Sequence, residues 1–419
     1  MKIIQKGSLG SVELKISILS NTGKDLDISE YFMSLEIIED VSSFSTTGIL
    51  TFIDSRGLVE FLPIIGGEKL RIYFNTDPDS NFTDYLGSFV VTKISTQTQT
   101  SDARTLREVK LIFCSEPLLT NYQHQYSKSY SKMKTSDIVK DISKSMLKLK
   151  KPLIVEDTKS SVNYIIPYKN PLTAIQYLAR SEKDGYLFYE DSKNFYFQSL
   201  VKMFKQSPYG DKFILHRNFN DDGSKRLTPY INRVLYFEHI HGIDFLEQLK
   251  RGGTGSTIFT FDIMSKSWTR RTADYQDILK GNQIGSRLPV PLDIANSESS
   301  INMFEDYFTD RIINATGDAT NTILDNARAD IMSKVIYNSI NSNAIVLGKF
   351  GDSGLTCGCL INVEYLSADS SQRVNDKING NYLVKTCKHR IDLVEGYKQV
   401  LLVTKPLYAN DDKNVTEKV

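Results

Sequence analysis

The chain has 419 residues, too many for one ordinary core and enough for about two to four domains. Its 51 lysines and arginines nearly cancel 50 aspartates and glutamates, and 40% hydrophobic with 24% charged residues is the composition of a folded soluble protein. That balance argues against an electrostatic nucleic-acid or membrane binder. Four cysteines are no disulfide framework, MKIIQKGSLG lacks the apolar core of a signal peptide, and no apolar run reaches bilayer-spanning length. The expectation is synthesis in a reducing cytoplasm without membrane insertion. Abundant Tyr (22) and Phe (21) against a single Trp suit β-sheet packing.

In chain order, Val12, Leu14, Ile16 and Ile18 alternate with Glu13, Lys15 and Ser17, which predicts a strand with one dry face. Asn21-Thr22-Gly23 turns the chain. Leu35–Ile38, Gly48–Ile53, Leu70–Phe74, Phe89–Ile94 and Val109–Phe113 are further strands, with a turn-rich loop at Asn75–Asn81 and a polar gap before Val109. So many short strands over residues 1–118 favour a closed barrel or a sandwich.

The character changes after Pro117. Thr135–Lys150 carries Ile138, Val139, Ile142, Met146 and Leu149 at helical spacing, with Lys140, Lys144, Lys148 and Lys151 on another face, read as solvated. Asn170-Pro171 starts a second helix, with Asn as the cap, and Asp184-Gly185 ends it. Tyr186–Tyr189 and Phe195–Phe197 then form an aromatic hairpin, which makes residues 119–201 an α+β domain. Residues 202–343 read as the start of a second barrel with an insertion. They hold a strand at Arg233–His239, a glycine-rich loop at Arg251–Ser256, a strand at Thr257–Ile263, an extended loop at Lys280–Ser300 and a helix at Thr322–Ile340. Residues 344–408 complete that barrel, and residues 409–419 form a frayed tail.

The closing segment repeats the opening one. Cys359–Tyr365, Tyr382–Cys387 and Gln399–Val403 follow a glycine and stop at Lys405-Pro406-Leu407, as the earlier strands follow Gly66-Gly67 and stop at Glu116-Pro117-Leu118. This predicts an internal duplication. The fold class is therefore mainly β with α+β insertions, two similar antiparallel β-barrels in one chain.

Candidate chemistry is sparse. Gly252-Gly253-Thr254-Gly255-Ser256 lacks the lysine-serine ending and the strand–helix setting of a phosphate loop. His239 and His241 share a strand face with no further ligand nearby. Cys357, Cys359, Cys387 and His389 would suit tetrahedral zinc as three thiolates and an imidazole, but C-x-C within strands is an unusual zinc spacing, and small buried residues are the commoner reading. No nucleophile elbow or H-E-x-x-H motif is present. Catalytic, cofactor-binding and metal residues are accordingly assigned as none, and the chain is expected not to be an enzyme.

Gly48-Ile49-Leu50-Thr51-Phe52-Ile53-Asp54-Ser55 followed by Gly66-Gly67-Glu68-Lys69-Leu70-Arg71-Ile72, the Asn170–Leu200 unit and the Gly354–Thr404 region resemble, in that order, the baseplate central hub proteins of contractile-tailed bacteriophages. That family is related to the hub part of type VI secretion spikes. The resemblance implies a homotrimer whose six quasi-equivalent barrels adapt a six-fold tail tube to a three-fold spike around a DNA-ejection channel. Its partners would be the tail tube protein, the central spike protein and other baseplate proteins, and DNA would pass without specific binding. Its place would be the virion tail baseplate, assembled in the host cytoplasm. The alternatives are the hub of a phage-derived injection or secretion machine, a tail-associated cell-wall hydrolase, and a monomeric ligand-binding barrel.

Overall fold

A computed structural model describes residues 2–5, 11–61, 64–75, 85–101, 104–159, 161–182, 184–216, 234–239, 255–262, 266–274, 300–305, 313–315, 340–346, 355–366, 379–394 and 396–405. The alternation at the start produces the strand Ser11–Leu19, whose Val12, Leu14, Ile16 and Ile18 are buried. Beyond it, in spatial order, lie Lys69–Asn75, Tyr85–Ser101, Arg104–Ser115, Thr47–Ile53 and Phe32–Asp40, each antiparallel to the last. The short strand Asp25–Asp27 pairs with the other edge of Ser11–Leu19 and leads through Ser29–Tyr31 into Phe32–Asp40, so the sheet curls back towards its start. Among the described residues no ladder joins Phe32–Asp40 to Ser11–Leu19, and the curl does not close as a hydrogen-bonded barrel.

The second half repeats this order. Phe213–His216, Leu360–Leu366, Gly380–Asp392, Gly396–Lys405, Ile340–Val346 and Val234–His239 are successive neighbours. If the short Lys2–Gln5 and Asp25–Asp27 are set aside, both halves place their first, fourth, fifth, sixth, third and second strands side by side. The halves differ in their first pair, which is antiparallel in the opening half and parallel in the closing one.

The correspondence reaches single residues. The ladder of Tyr85–Ser101 with Arg104–Ser115 skips Thr92, and that of Gly380–Asp392 with Gly396–Lys405 skips Lys385. A second pair of bulges skips Met33 and Leu235. Gly67 N–H donates to the Val91 carbonyl (2.8 Å) and Val91 N–H to that of Glu68 (2.9 Å), and Gly358, Val384 and Cys359 repeat the exchange at 2.8 and 2.8 Å. Both glycines are left-handed, at φ 90° and 84°, a conformation that a Cβ makes costly. In this register Ser115 matches Lys405, so Pro117 and Pro406 are offset by one residue. The Pro-Leu coincidence therefore pointed to a genuine duplication through the wrong alignment.

The long strand Gly380–Asp392 joins the halves. Its start pairs with Leu360–Val363, and its Thr386–Asp392 portion pairs with Asp40–Ser34 of the opening half, which makes one 14-stranded sheet. Ile391 and Tyr397 from the closing hairpin complete the opening core of Leu14, Ile16, Leu50, Ile72 and Phe113.

Several local expectations are corrected. The polar gap after Ile94 is strand: Tyr85–Ser101 runs for 17 residues, and its Thr residues favour extended backbone. The chain turns into a helix, Glu116–Gln123, at the point where the strand was expected only to stop, with its proline in the first turn where no N–H is needed. Helices Thr135–Ser145 and Pro171–Ser181 form, the first stopping short of the expected end at Lys150, and bury Ile138, Ile142, Ile175 and Leu178 against Phe188 and Phe197 of the aromatic hairpin. Asn170 holds the cap position without capping. Its Nδ2 donates to the Asn121 carbonyl (2.7 Å), while Asn121 Oδ1 accepts the Leu172 N–H (2.8 Å). Strands Tyr126–Lys134 and Ser161–Lys169 pair beside these helices, and neither is legible in the sequence. Gly255 and Ser256 open a strand, Gly255–Asp262, in a separate sheet with Ser267–Asp274 and Ser300–Glu305. The Thr322–Ile340 helix and the Lys280–Ser300 loop lie outside the described residues apart from Ile340 and Ser300, each of which begins a strand, and the frayed tail lies wholly outside. No helix among the described residues is long and apolar enough to cross a membrane.

Candidate functional site

The aromatic hairpin delivers a buried acid to the place where the α+β unit meets both halves of the large sheet. Glu190 ends Tyr186–Glu190 and is 1% exposed. Its Oε2 accepts from Thr46 N–H (3.0 Å) and Ser115 Oγ (2.5 Å), and its Oε1 from Lys151 Nζ (2.7 Å). Lys151, assigned from sequence to a solvated helix face, is instead drawn inward, and it also donates to the Asp191 carbonyl (2.9 Å). Asp191 reaches the closing half, where its Oδ2 accepts from Thr356 Oγ1 (3.3 Å). Tyr189 fills the space left by Gly358: a Cβ there would stand 2.3 Å from the tyrosine oxygen. One hairpin tip thus links three parts of the chain.

Beside it lies a second buried polar group, at the ladder that joins the halves. Glu39 comes from the opening half, and Cys387, His389, Tyr397 and Gln399 from the closing hairpin; all are buried. His389 Nδ1 meets Tyr397 Oη at 2.8 Å, and its Nε2 lies 3.6 Å from both Cys387 Sγ and Glu39 Oε2. Gln399 Nε2 donates to the Leu355 carbonyl (3.0 Å). Burial pushes Glu39 up. Burial opposes a charge on His389, but the Cys387, Tyr397 and Glu39 groups around the ring outweigh it, and the histidine is held well above its ordinary value. Burial likewise raises the Cys387 thiol and pushes Tyr397 up to about 12. A thiol raised in this way is not an activated nucleophile.

The four-residue cluster singled out in the sequence is only half assembled. Cys387 and His389 are in contact, and Glu39 joins them with all three donor atoms within 4.8 Å of one another. Cys357 Sγ instead lies 3.8 Å from the Glu190 carbonyl, and Cys359 Sγ 3.7 Å from Thr356 Oγ1. Three donors are one short of the tetrahedral set of a structural zinc. Glu39 was invisible as a partner because it belongs to the opposite half. All four cysteines are free thiols, and burial together with the nearby Glu190 pushes Cys114 up to about 11. His239 ends a strand, while His241 and Arg251–Thr254 lie outside the described residues.

No family model matches the chain, and no curated protein matches it in sequence. Solved structures do match. A tail protein of Neisseria meningitidis MC58 is similar over 94% of this chain and 96% of its own, with a TM-score of 0.55 at 10% identity. The 43 kDa tail protein of prophage MuSo2 from Shewanella oneidensis is similar over 94% and 99%, at 0.52 and 12%. The half-lidded Francisella PdpA–VgrG complex is similar over 97% of this chain and 59% of the other, at 0.50 and 11%. The chain therefore has the fold seen in two tail proteins, one of them from a prophage, and in a VgrG complex.

Proposed function

We propose that the chain is the structural hub at the end of a contractile tail, a trimeric ring between a six-fold tube and a three-fold spike that encloses the channel through which DNA leaves. The observation that carries this is the duplicated strand order, with the same bulges and the same glycine exchanges, fused into one sheet. Two equivalent units per chain allow three chains to present six like surfaces to a tube. The differences between the units, above all the α+β unit anchored by Glu190, supply three-fold contacts to a spike. Each half is the barrel-like unit of this scheme, completed in the assembly. The fold shared with tail proteins supports the reading, as do the two buried polar clusters of the described residues, which tie distant strands together. A net charge of +1 suits a lumen that does not grip phosphates. The hub acts by position rather than by catalysis.

Light scattering across concentration, with imaging of the particle formed, tests this. A trimeric ring of pseudo-six-fold outline is the expected result, and a strict monomer at every concentration, with tube and spike proteins added, overturns it. The likeness to the VgrG complex favours one second reading, the hub of a secretion or injection machine. Purified particles that contain this chain and no DNA would select it.

A further inference from the structure

The near-neutral charge of the whole chain conceals a separation of charge. Residues 119–201 carry 13 lysines and arginines against 8 aspartates and glutamates, and the rest of the chain carries a compensating excess of acid. Within this α+β unit the strand Tyr126–Lys134 has three lysines, no acid, no proline and no glycine. It forms one side of a three-stranded sheet in the order Ile313–Ala315, Ser161–Lys169, Tyr126–Lys134, so its outer edge meets no strand among the described residues. Ser127, Lys128, Ser129, Ser131, Lys132 and Lys134, six of its nine residues, are exposed.

The two faces of this strand differ. On one, Tyr130 and Met133 pack into the core of the unit, and Lys128 Nζ and Tyr130 Oη both donate to Asp141 Oδ2, at 2.6 and 2.7 Å, which neutralises that lysine. On the other lie Lys132 and Lys134. Lys159 stands near them, because Ser161, two residues on, is the ladder partner of Lys134. Among the described residues no acid pairs with Lys132, Lys134 or Lys159. Lys132 sits in a bulge at φ 51°, a left-handed conformation that glycine and asparagine adopt at lower cost. Its N–H donates to Asn163 Oδ1 (2.8 Å), which leaves Asn163 Nδ2 as a further donor beside the lysines.

We propose that the edge of Tyr126–Lys134 takes an extended acidic segment of another protein as an added strand. Two features select this occupant. A row of edge N–H and C=O groups is complemented by a second polypeptide backbone, which a nucleic acid or a glycan lacks. The lysines then select its charge: they oppose pairing with a second copy of the same edge, whereas carboxylates at alternate positions of an incoming strand come within reach of Lys132 and Lys134. The strained backbone agrees, since a lysine standing where glycine or asparagine would be cheaper is there for its ammonium group. The site lies outside the duplicated strands and stands or falls independently of the hub reading.

The test titrates the full-length chain into a dye-labelled nine-residue peptide of alternating glutamate and threonine, matched to the length of the strand. Anisotropy reports binding, and hydrogen exchange of residues 126–134 on the same mixture reports the site. The expected result is saturable binding that weakens with added salt, with slowed exchange centred on those amides. The same peptide N-methylated at alternate residues keeps its charge but cannot form the ladder, and is expected to bind about tenfold or more weakly. Lys132→Asn, which suits the left-handed backbone and removes one charge, should weaken binding of the unmodified peptide ~2- to 5-fold. Equal binding of the N-methylated peptide overturns the strand addition, and unchanged binding by Lys132→Asn overturns the role of that lysine. Equal or tighter binding of a deoxythymidine nonamer overturns the choice of a polypeptide. No binding of the glutamate peptide, or binding without slowed exchange at 126–134, overturns the site. A trimeric ring in light scattering leaves the hub reading standing in every one of these cases.

Discussion

At the scale of single residues, the equivalent glycines Gly67 and Gly358 separate two costs that are usually merged. Both are left-handed, but a Cβ at Gly67 meets nothing nearer than Asn21 Oδ1 at 4.0 Å, whereas one at Gly358 strikes Tyr189. Gly67→Ala is expected to cost about 1–2 kcal/mol from backbone strain alone. Gly358→Ala should cost more by about 1–3 kcal/mol for the overpacking, as chemical denaturation of the two variants would show. Glu190→Gln removes the counter-charge of half-buried Lys151 and is expected to destabilise by about 3 kcal/mol. The Glu39–His389 pair sets a pH dependence. Both groups have raised values in the folded state, so the native protein holds more protons than the unfolded chain above about pH 4.3 for the acid and above about pH 6.5 for the histidine. Stability from this pair is complete at low pH and is lost as pH rises through the raised values. Denaturation from mildly acid to mildly alkaline pH should show that decline, and Glu39→Gln should make it shallower.

At the scale of elements, Gly380–Asp392 carries both halves. Alternation along it sends Cys387 and Ile391 inward, the first to the closing core and the second to the opening one. The bulge at Lys385 separates the stretch that pairs with Leu360–Val363 from the stretch that pairs with Phe32–Asp40. A shift of one residue there would turn every later side chain to the other face. Deletion of Lys385 is therefore expected to abolish the joint between halves, seen as loss of the cooperative transition in circular dichroism.

At the scale of the whole molecule, a sheet continuous through both halves should unfold as a unit. Ile391→Ala and Leu401→Ala, in different cores, are each expected to cost about 2–5 kcal/mol and to move one and the same transition. Two resolved transitions, each answering to one variant, would show that the joint does not couple the halves. Chelation is expected to leave that transition in place, because Tyr397 and Gln399 already brace His389 by hydrogen bonds.

What the sequence determined by itself was local. Alternation at Val12–Ile18, helical spacing from Ile138, the Asn170-Pro171 start and the aromatic hairpin each state which face must leave water, and burial of that face needs no knowledge of the partner. The duplication was legible for the same reason, since equivalent turns demand glycine at Gly67 and Gly358. Tertiary structure alone decided the rest. Lys151 was pulled from a solvated face by Glu190, Asn121 took over the cap expected of Asn170, and Glu39 displaced Cys357 and Cys359 as the neighbour of His389. In each case the outcome depends on a hydrogen-bonding group brought from a distant strand, whose register is set by backbone pairing rather than by the residue's own neighbours. The strand at Lys93–Gln99 belongs to the same class. A run of Ser, Thr and Gln looks like a gap in sequence, and only its place beside Arg104–Ser115 makes it a strand.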